Sequence, residues 1–495
     1  MFSSNFNFAQ DNTLYFMHDI PQSISLNPAV NFRCNFYIEV PLLSSLQFGY
    51  NNNGFGFNDF IHRGTGARSD SFVYDPVKLS STLQKINFIR TDLGINLLGF
   101  GFRRGYYYFS FSMSNRSEGI LTYGKDLLLL KDGNWDLTSG VGITRDLGGI
   151  GINLVNYTQI SFGVSAQVDR NLRVGVRLNY LKGTANLTTT KSDLSLVTVT
   201  SPVSVAFNTD IELNASMPMN LKRDSFSRVE GFNPNFSNPI HDFIFNSNRG
   251  VSVDAGMIYR TDYGVDLMAS IVDLGFIYWS SNIENFESKG YFQFNGIDLS
   301  NYQINSNNAD LIRQLKDSLN NAFKFYNNPQ SYTTYLTTKI FAGAIFHINE
   351  KIFASILNKN LVFNSAIHST LTLAVNDHFM KNFEGTISLS AMNNNFLNTG
   401  FGLMYKIGSF QIYFVSDNIP VTYIKDSGTG LLIPFEAHTM DFHFGCNLTF
   451  GCKTVSYKAR GKTAIPCPDV YAKKKPMTKK SKVKRKSKIL EWMGF

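Results

Sequence analysis

Apolar and polar positions alternate along much of the chain with the period of a β-strand, in which successive side chains point to opposite faces. Near the start, Phe32, Cys34, Phe36, Ile38 and Val40 interleave with Arg33, Asn35, Tyr37 and Glu39. The phase recurs at Tyr107, Phe109, Phe111 and Met113 against Ser110, Ser112 and Ser114, and at Ile160, Phe162, Val164, Ala166 and Val168 against Gln159, Ser161, Ser165 and Gln167. A last run sets Met440, Phe442, Phe444, Cys446, Leu448 and Phe450 on one face and Asp441, His443, Asn447 and Thr449 on the other. Short turn sequences at Arg103–Gly105, Asp169–Asn171, Thr261–Tyr263, Asn349–Lys351, Asp377–His378 and Gly408 join such runs into hairpins. The pattern predicts an all-β chain of about fourteen antiparallel strands in up-and-down order. Extra strands in 184–215 extend as an external hairpin, and a helical stretch is predicted near Ala309–Phe323.

Alternation alone also fits a soluble sandwich. Several runs reach about ten residues, the length that crosses a bilayer when tilted, whereas soluble strands are about half that. The polar face also carries charges of both signs, at Arg33, Glu39, Arg90, Asp92, Arg173, Arg177, Asp254 and Asp266. A soluble core is the worst place for them, whereas inside a transmembrane barrel they can pair. They are candidate lumen-lining residues, and two roles are open: bracing the wall, which buried ion pairs commonly do, or shaping a ligand path. No run of about 18 apolar residues is present, so a spanning helix is excluded. Short turns would then lie on the periplasmic side and long segments (51–86, 115–148, 184–250 and 419–437) outside.

Composition agrees. Charged residues make up 17% and aromatic residues 14%, where soluble domains are about a quarter charged. The net charge of +9 suggests nucleic acid until it is located. Residues 451–495 carry 14 Lys and Arg against Asp469 and Glu491, and the remainder holds 32 basic against 35 acidic. The body is nearly neutral and no nucleic-acid partner is expected. The tail, with Lys484, Arg485 and Lys486 ahead of Trp492 and Phe495, should be disordered when free; it is either an inert solubilising appendage or a site that docks a periplasmic protein or peptidoglycan.

The stretches Ser25–Ala29, Val164–Gly183 and Ile271–Trp279 resemble outer-membrane barrels of Bacteroidota, a group of uncharacterised function within the long-chain fatty-acid transporter (FadL-like) superfamily. The resemblance covers about residues 20–450. It implies an outer-membrane barrel in contact with lipid, inserted by barrel-assembly machinery, with Phe450 resembling the terminal aromatic signal which that machinery reads. It further implies a channel for uptake of hydrophobic or small solutes, possible hydrophobic ligands included, or else a non-transporting accessory subunit of an envelope or secretion complex docked through the basic tail. Fatty-acid transporters resemble one another in having a long N-terminal hatch; here only some 20 residues separate Gln10 from the first strand, which puts a full hatch and its ligand-gating role in doubt.

The expected organisation is a signal-peptide remnant over 1–9, a short periplasmic segment over 10–30, the barrel over 31–450 and the periplasmic tail over 451–495. Phe8-Ala9-Gln10 suits the end of a cleaved leader. Cys34, Cys446, Cys452 and Cys467 lack zinc spacing; Cys452 and Cys467 can close a loop or remain thiols, and closure brings Cys34 and Cys446 to one outer face. No nucleophile elbow, P-loop, H-E-x-x-H or EF-hand occurs, so neither an enzyme, a cofactor nor a metal is expected. Tyr278 and Trp279 read as an interfacial aromatic girdle, and the apolar loop Gly430–Phe435 as loop packing or ligand capture.

Overall fold

The computed structural model describes residues 11–452 except for 57–60, 64–71, 131–132, 137, 202, 224–228, 235–245, 295–325, 350, 364–365, 381, 393–396, 419–422, 426–431 and 435–438. Fourteen antiparallel strands form a closed barrel. The first, β1, is split into Phe36–Glu39 and Leu46–Asn52. Then follow β2 (Ile86–Arg104), β3 (Tyr107–Gly124), β4 (Gly151–Gln167) and β5 (Leu172–Thr200). β6 (Arg249–Arg260) and β7 (Val265–Trp279) precede β8, itself split into Tyr332–Tyr335 and Thr338–His347. β9 (Ile352–Phe363), β10 (Ala366–Met380), β11 (Phe383–Met392), β12 (Leu397–Ile407), β13 (Phe410–Asn418) and β14 (Thr439–Phe450) complete it. Each strand pairs with its sequence neighbours, and β14 returns to β1 with Phe450 opposite Phe36 and Phe444 opposite Leu46. Closure of β14 on β1 removes the two edges that the barrel wall would otherwise expose.

The side-chain alternation sets what faces where. Outward positions are apolar and bare: Phe162 is 62% exposed and Ile387 65%, with Leu178, Val251, Leu274, Leu373 and Phe444 among many others. A water-soluble surface rarely carries an apolar patch beyond a few hundred Å². This belt is the surface a bilayer covers, and backbone groups in lipid must be satisfied within the wall, which a closed barrel does.

Six short connections (104–107, 167–172, 260–265, 347–352, 380–383 and 407–410) lie at one end, together with the start of β1 and the end of β14, while the short links from Phe363 to Ala366 and from Met392 to Leu397 lie at the other. Gly105, Gly264 and Gly408 occupy positive φ in three of those six turns. At the opposite end β5 runs on past the wall. Its distal half pairs with Val203–Ser216, which in turn pairs with Ile283–Phe294, so a three-stranded blade projects from the barrel. The predicted external hairpin over 184–215 corresponds to part of this blade. The predicted helix near Ala309–Phe323 lies outside the described residues.

Residues 11–32 differ from the sequence reading, which set 10–30 as a short periplasmic segment and doubted a full hatch. Residues 11–32 are instead almost wholly buried inside the wall, around two 3-10 turns at Leu14–Phe16 and Pro21–Ser25. A hatch needs matching side chains more than length. Leu14, Tyr15, Phe16, Met17 and Ile20 pack with Met268, Phe341, Ile345, Leu357 and Tyr413 of the wall in the largest buried cluster.

Candidate functional site

The site is the lumen, where this plug meets the wall. Asp417 of β13 accepts hydrogen bonds from the backbone N–H groups of Asn12 and Thr13, both at 2.7 Å. The Thr13 and Ser388 hydroxyls lie 2.7 Å apart, and Gln411 Nε2 donates to the Asp19 carbonyl at 2.7 Å. Gln22 and Asn447 exchange amide bonds at 2.9 and 3.0 Å. Ser270 donates to the Leu26 carbonyl at 2.7 Å, and the Tyr15 ring stacks on Phe341 at 4.9 Å. Gly175 and Gly256 lie directly opposite each other on β5 and β6. A Cβ on the first would overlap the Pro28 carbonyl and on the second the Asn27 amide, so the pair makes the recess that receives the plug backbone.

Of the eight candidate lumen residues, Glu39, Arg90, Asp92, Arg173, Arg177 and Asp254 are buried and Arg33 and Asp266 partly so, in separate groups. Arg90 forms a two-pronged pair with Asp92 at 2.8 Å and reaches Glu118 at 3.3 Å. Arg177 pairs with Asp254 at 2.6 Å and donates to the Ser25 carbonyl of the plug at 3.0 Å. Arg173 donates to Ser165 and to Asn31 of the plug, both at 2.9 Å. Arg33 pairs with Asp19 at 2.9 Å. Glu39 accepts from Gln22 at 3.2 Å and Asn96 at 3.1 Å, and Asp266 pairs with Arg260 at 2.8 Å beside His347 at 3.0 Å.

The sequence reading missed Asp11, Asp19, Arg116, Lys339, Lys359, Asp273 and Asp417. Lys339 lies 3.6 Å from Asp11 and 3.8 Å from Asp273, whose other neighbour is Arg116 at 3.7 Å. Asp273 sits at positive φ in a bulge of β7, where its backbone N–H donates to Asp254 at 2.7 Å. A bulge breaks the period of two that identifies inward residues. Lys339 shares its face of β8 with Phe341 and Ile345, and Lys359 its face of β9 with Phe353 and Leu357, so no polar phase marked either lysine. Asp11 is buried, which opposes its charge, yet Lys339 and Lys359 outweigh that and hold its carboxyl below the usual range.

Between plug and wall lies a small cavity of about 50 Å³. Ser110, Ser112, Ser114, Ser161, Gln159 and Asn96 give it a polar lining, with Glu39, Arg116 and Arg177 around it. Tyr37, Glu39, Ser45 and Gln47 bring it against the interruption of β1. There six residues, Val40 to Ser45, face only Gly445 and Cys446 of β14. The excess bows outward. Leu42 at positive φ and Leu43 are 52% and 55% exposed, while Ser44 and Ser45 turn in toward Tyr413 and His443.

Two other expectations change. Trp279 is no girdle residue: it is fully buried with Tyr157, Leu181, Ile277 and Leu336, its indole N–H donating to Thr334 at 2.8 Å, and only Tyr278 faces out. Cys34 is disulfide-bonded to Cys452, and Cys446 is a free thiol. Phe450 stands against Phe36 with ring centroids 6.0 Å apart. The tail residues Lys484, Arg485, Lys486, Trp492 and Phe495, and Cys467, lie outside the described residues. Of the apolar loop, only Leu432–Pro434 is described, as a short ladder with Tyr423–Lys425.

A family model described as a family of unknown function (DUF5723) matches residues 28–417. The chain belongs to that family. Its match spans the barrel from just before β1 to the plug anchor Asp417. No curated protein matches the chain. Among solved structures, the toluene transporter TbuX of Ralstonia pickettii is similar at 9% identity and TM-score 0.40, over 87% of this chain and 94% of that one. A Pseudomonas aeruginosa FadL homologue is similar at 9% identity and TM-score 0.36, over 90% and 100%. The translocator domain of autotransporter NalP from Neisseria meningitidis is similar at 8% identity and TM-score 0.30, over 89% and 99%.

Proposed function

We propose that this barrel is an outer-membrane channel for small solutes, gated by its own N-terminal plug. The observation that carries the reading is the cavity behind the bowed segment of β1. It is enclosed by the plug on one side and by an irregular stretch of wall on the other, so a shift of either opens it. Serine and amide groups dominate the lining, which favours small polar solutes over a hydrophobic ligand. The short-turn end faces the periplasm, as in outer-membrane barrels generally, and the tail then lies there with its basic residues toward peptidoglycan or a periplasmic protein. A disulfide near the start and end of the barrel fits an oxidising compartment. The paired lumen charges brace the wall and anchor the plug; Glu39, Arg116 and Arg177 border the path.

A second reading is favoured by how firmly the plug is held. A lumen filled by buried ion pairs and hydrogen bonds also suits a non-transporting subunit of an envelope complex, docked through its tail.

Liposome swelling with sugars and amino acids of graded size separates the two. Transport predicts uptake of the smallest solutes by the intact protein and a several-fold increase when residues 11–32 are deleted. If neither form admits any solute, the channel reading fails and the accessory role stands.

A further inference from the structure

At the short-turn end, Asp19 of the plug, His378 of β10 and Glu384 of β11 converge, and their ligand atoms all lie within 4.8 Å of one another. One imidazole and two carboxylates are a donor set that borderline divalent ions such as zinc accept. The chain brings them together from two unconnected places. Asp19 is fixed by the Gln411 bond to its carbonyl, and the His378 backbone N–H donates to the Lys351 carbonyl at 3.1 Å.

A second observation points to a cation site. Glu384 is 1% exposed, and its Oε2 is buried without a hydrogen-bond partner. Asp19 Oδ1 is likewise buried and unpartnered. Carboxylate oxygens without donors are costly to bury, and two such carboxylates side by side repel one another. The Arg33 guanidinium already answers the demand in part, lying 2.9 Å from Asp19 Oδ2 and 3.3 Å from His378 Nε2. It is a long side chain, 23% exposed, that can withdraw toward the barrel mouth. The Asp19 and His378 side chains are 17% and 20% exposed, which gives an ion a route in.

We propose that Asp19, His378 and Glu384 bind a zinc-class divalent ion that pins the plug to the barrel wall. The ion would occupy the space between the three side chains, held by one ligand from the plug and two from adjacent strands. Because a bound ion stabilises only the docked arrangement, it shifts the plug toward its closed position by mass action.

The test uses the full chain in detergent, purified without a polyhistidine tag, stripped with chelator and titrated with Zn²⁺. The expected result is one zinc per chain, at least tenfold weaker binding in both His378→Ala and Glu384→Gln, and tighter binding in Arg33→Gln. Zinc should also slow hydrogen exchange over residues 11–32 in the wild type and leave it unchanged in Glu384→Gln. That variant keeps side-chain size and guards against misfolding of the histidine variant. Absence of stoichiometric zinc, or equal binding by both ligand variants, overturns the site. Zinc binding that leaves exchange of the plug unaltered overturns the pinning.

Discussion

Cys34 and Cys452, 418 residues apart in sequence, are bonded across the seam where the last strand meets the first. Cys34 stands two residues before Phe36 and Cys452 two after Phe450, and those two residues are partners in the closing ladder. The disulfide therefore ties the seam at the short-turn end, where fraying would otherwise begin. Cys452→Ser should leave the barrel folded and lower its resistance to urea by roughly 2–4 kcal/mol. Reductant should reproduce the loss in the wild type and add nothing in the variant; equal urea midpoints in all samples would show that the bond contributes no stability.

Asp417 holds the plug by receiving two backbone N–H groups at once. An amide in its place offers one acceptor and presents N–H against N–H at the other. Asp417→Asn should weaken docking by about 1.5–3 kcal/mol, enough to shift the docked fraction by tenfold or more. Single-channel recording should then show frequent large openings. A closed, silent trace like that of the wild type would mean that the anchor lies elsewhere in the plug.

The barrel was legible in the sequence because lipid outside and polar lumen inside impose a period of two on every strand. Glu39, Arg90, Asp92, Arg173, Arg177 and Asp254, read from that period, are buried. What failed were the places where the period is interrupted. Asp273 enters the lumen through a bulge, and Trp279 turns inward beyond the same bulge, although Trp beside Tyr at a strand end suggested an interface. Residues 11–32 have no strand period, and nothing local reveals that Asp11, Asp19 and Thr13 meet partners more than 300 residues away. The disulfide was missed on the same account: Cys34 meets Cys452 only because the barrel closes.

Acid should loosen the plug. Asp11 faces Lys339, Lys359, Arg116 and His443, with Gln47 donating to it at 3.0 Å. Its carboxyl titrates below its ordinary 3.8 when docked, despite burial, chiefly because of Lys339 and Lys359. Docking thus favours the ionised form: the contribution is fully present above pH 3.8 and is lost as pH falls through the lower, docked value. Conductance of the wild type should rise in that acidic window. Asp11→Asn should conduct more at neutral pH and respond less to acid, whereas an unchanged acid response in the variant would assign the effect to another group.

Gly175 and Gly256 offer the sharpest separation of plug from wall. They face each other across β5 and β6; the backbone of Pro28 and Ala29 lies against Gly175 and the Asn27 side chain against Gly256. A side chain at Gly175 meets the Pro28 carbonyl, which is backbone and cannot rotate aside. The wall has no such conflict, since valine suits a strand and the barrel hydrogen bonds do not involve the Cβ. Gly175→Val should therefore leave the strand content seen by circular dichroism unchanged while expelling the plug near Pro28. Hydrogen exchange over 26–30 should accelerate at least tenfold, and solute uptake into liposomes should approach that of the plug-deleted protein. Exchange as slow as in the wild type would show that the plug accommodates a side chain there and that the glycine pair is not what seats it.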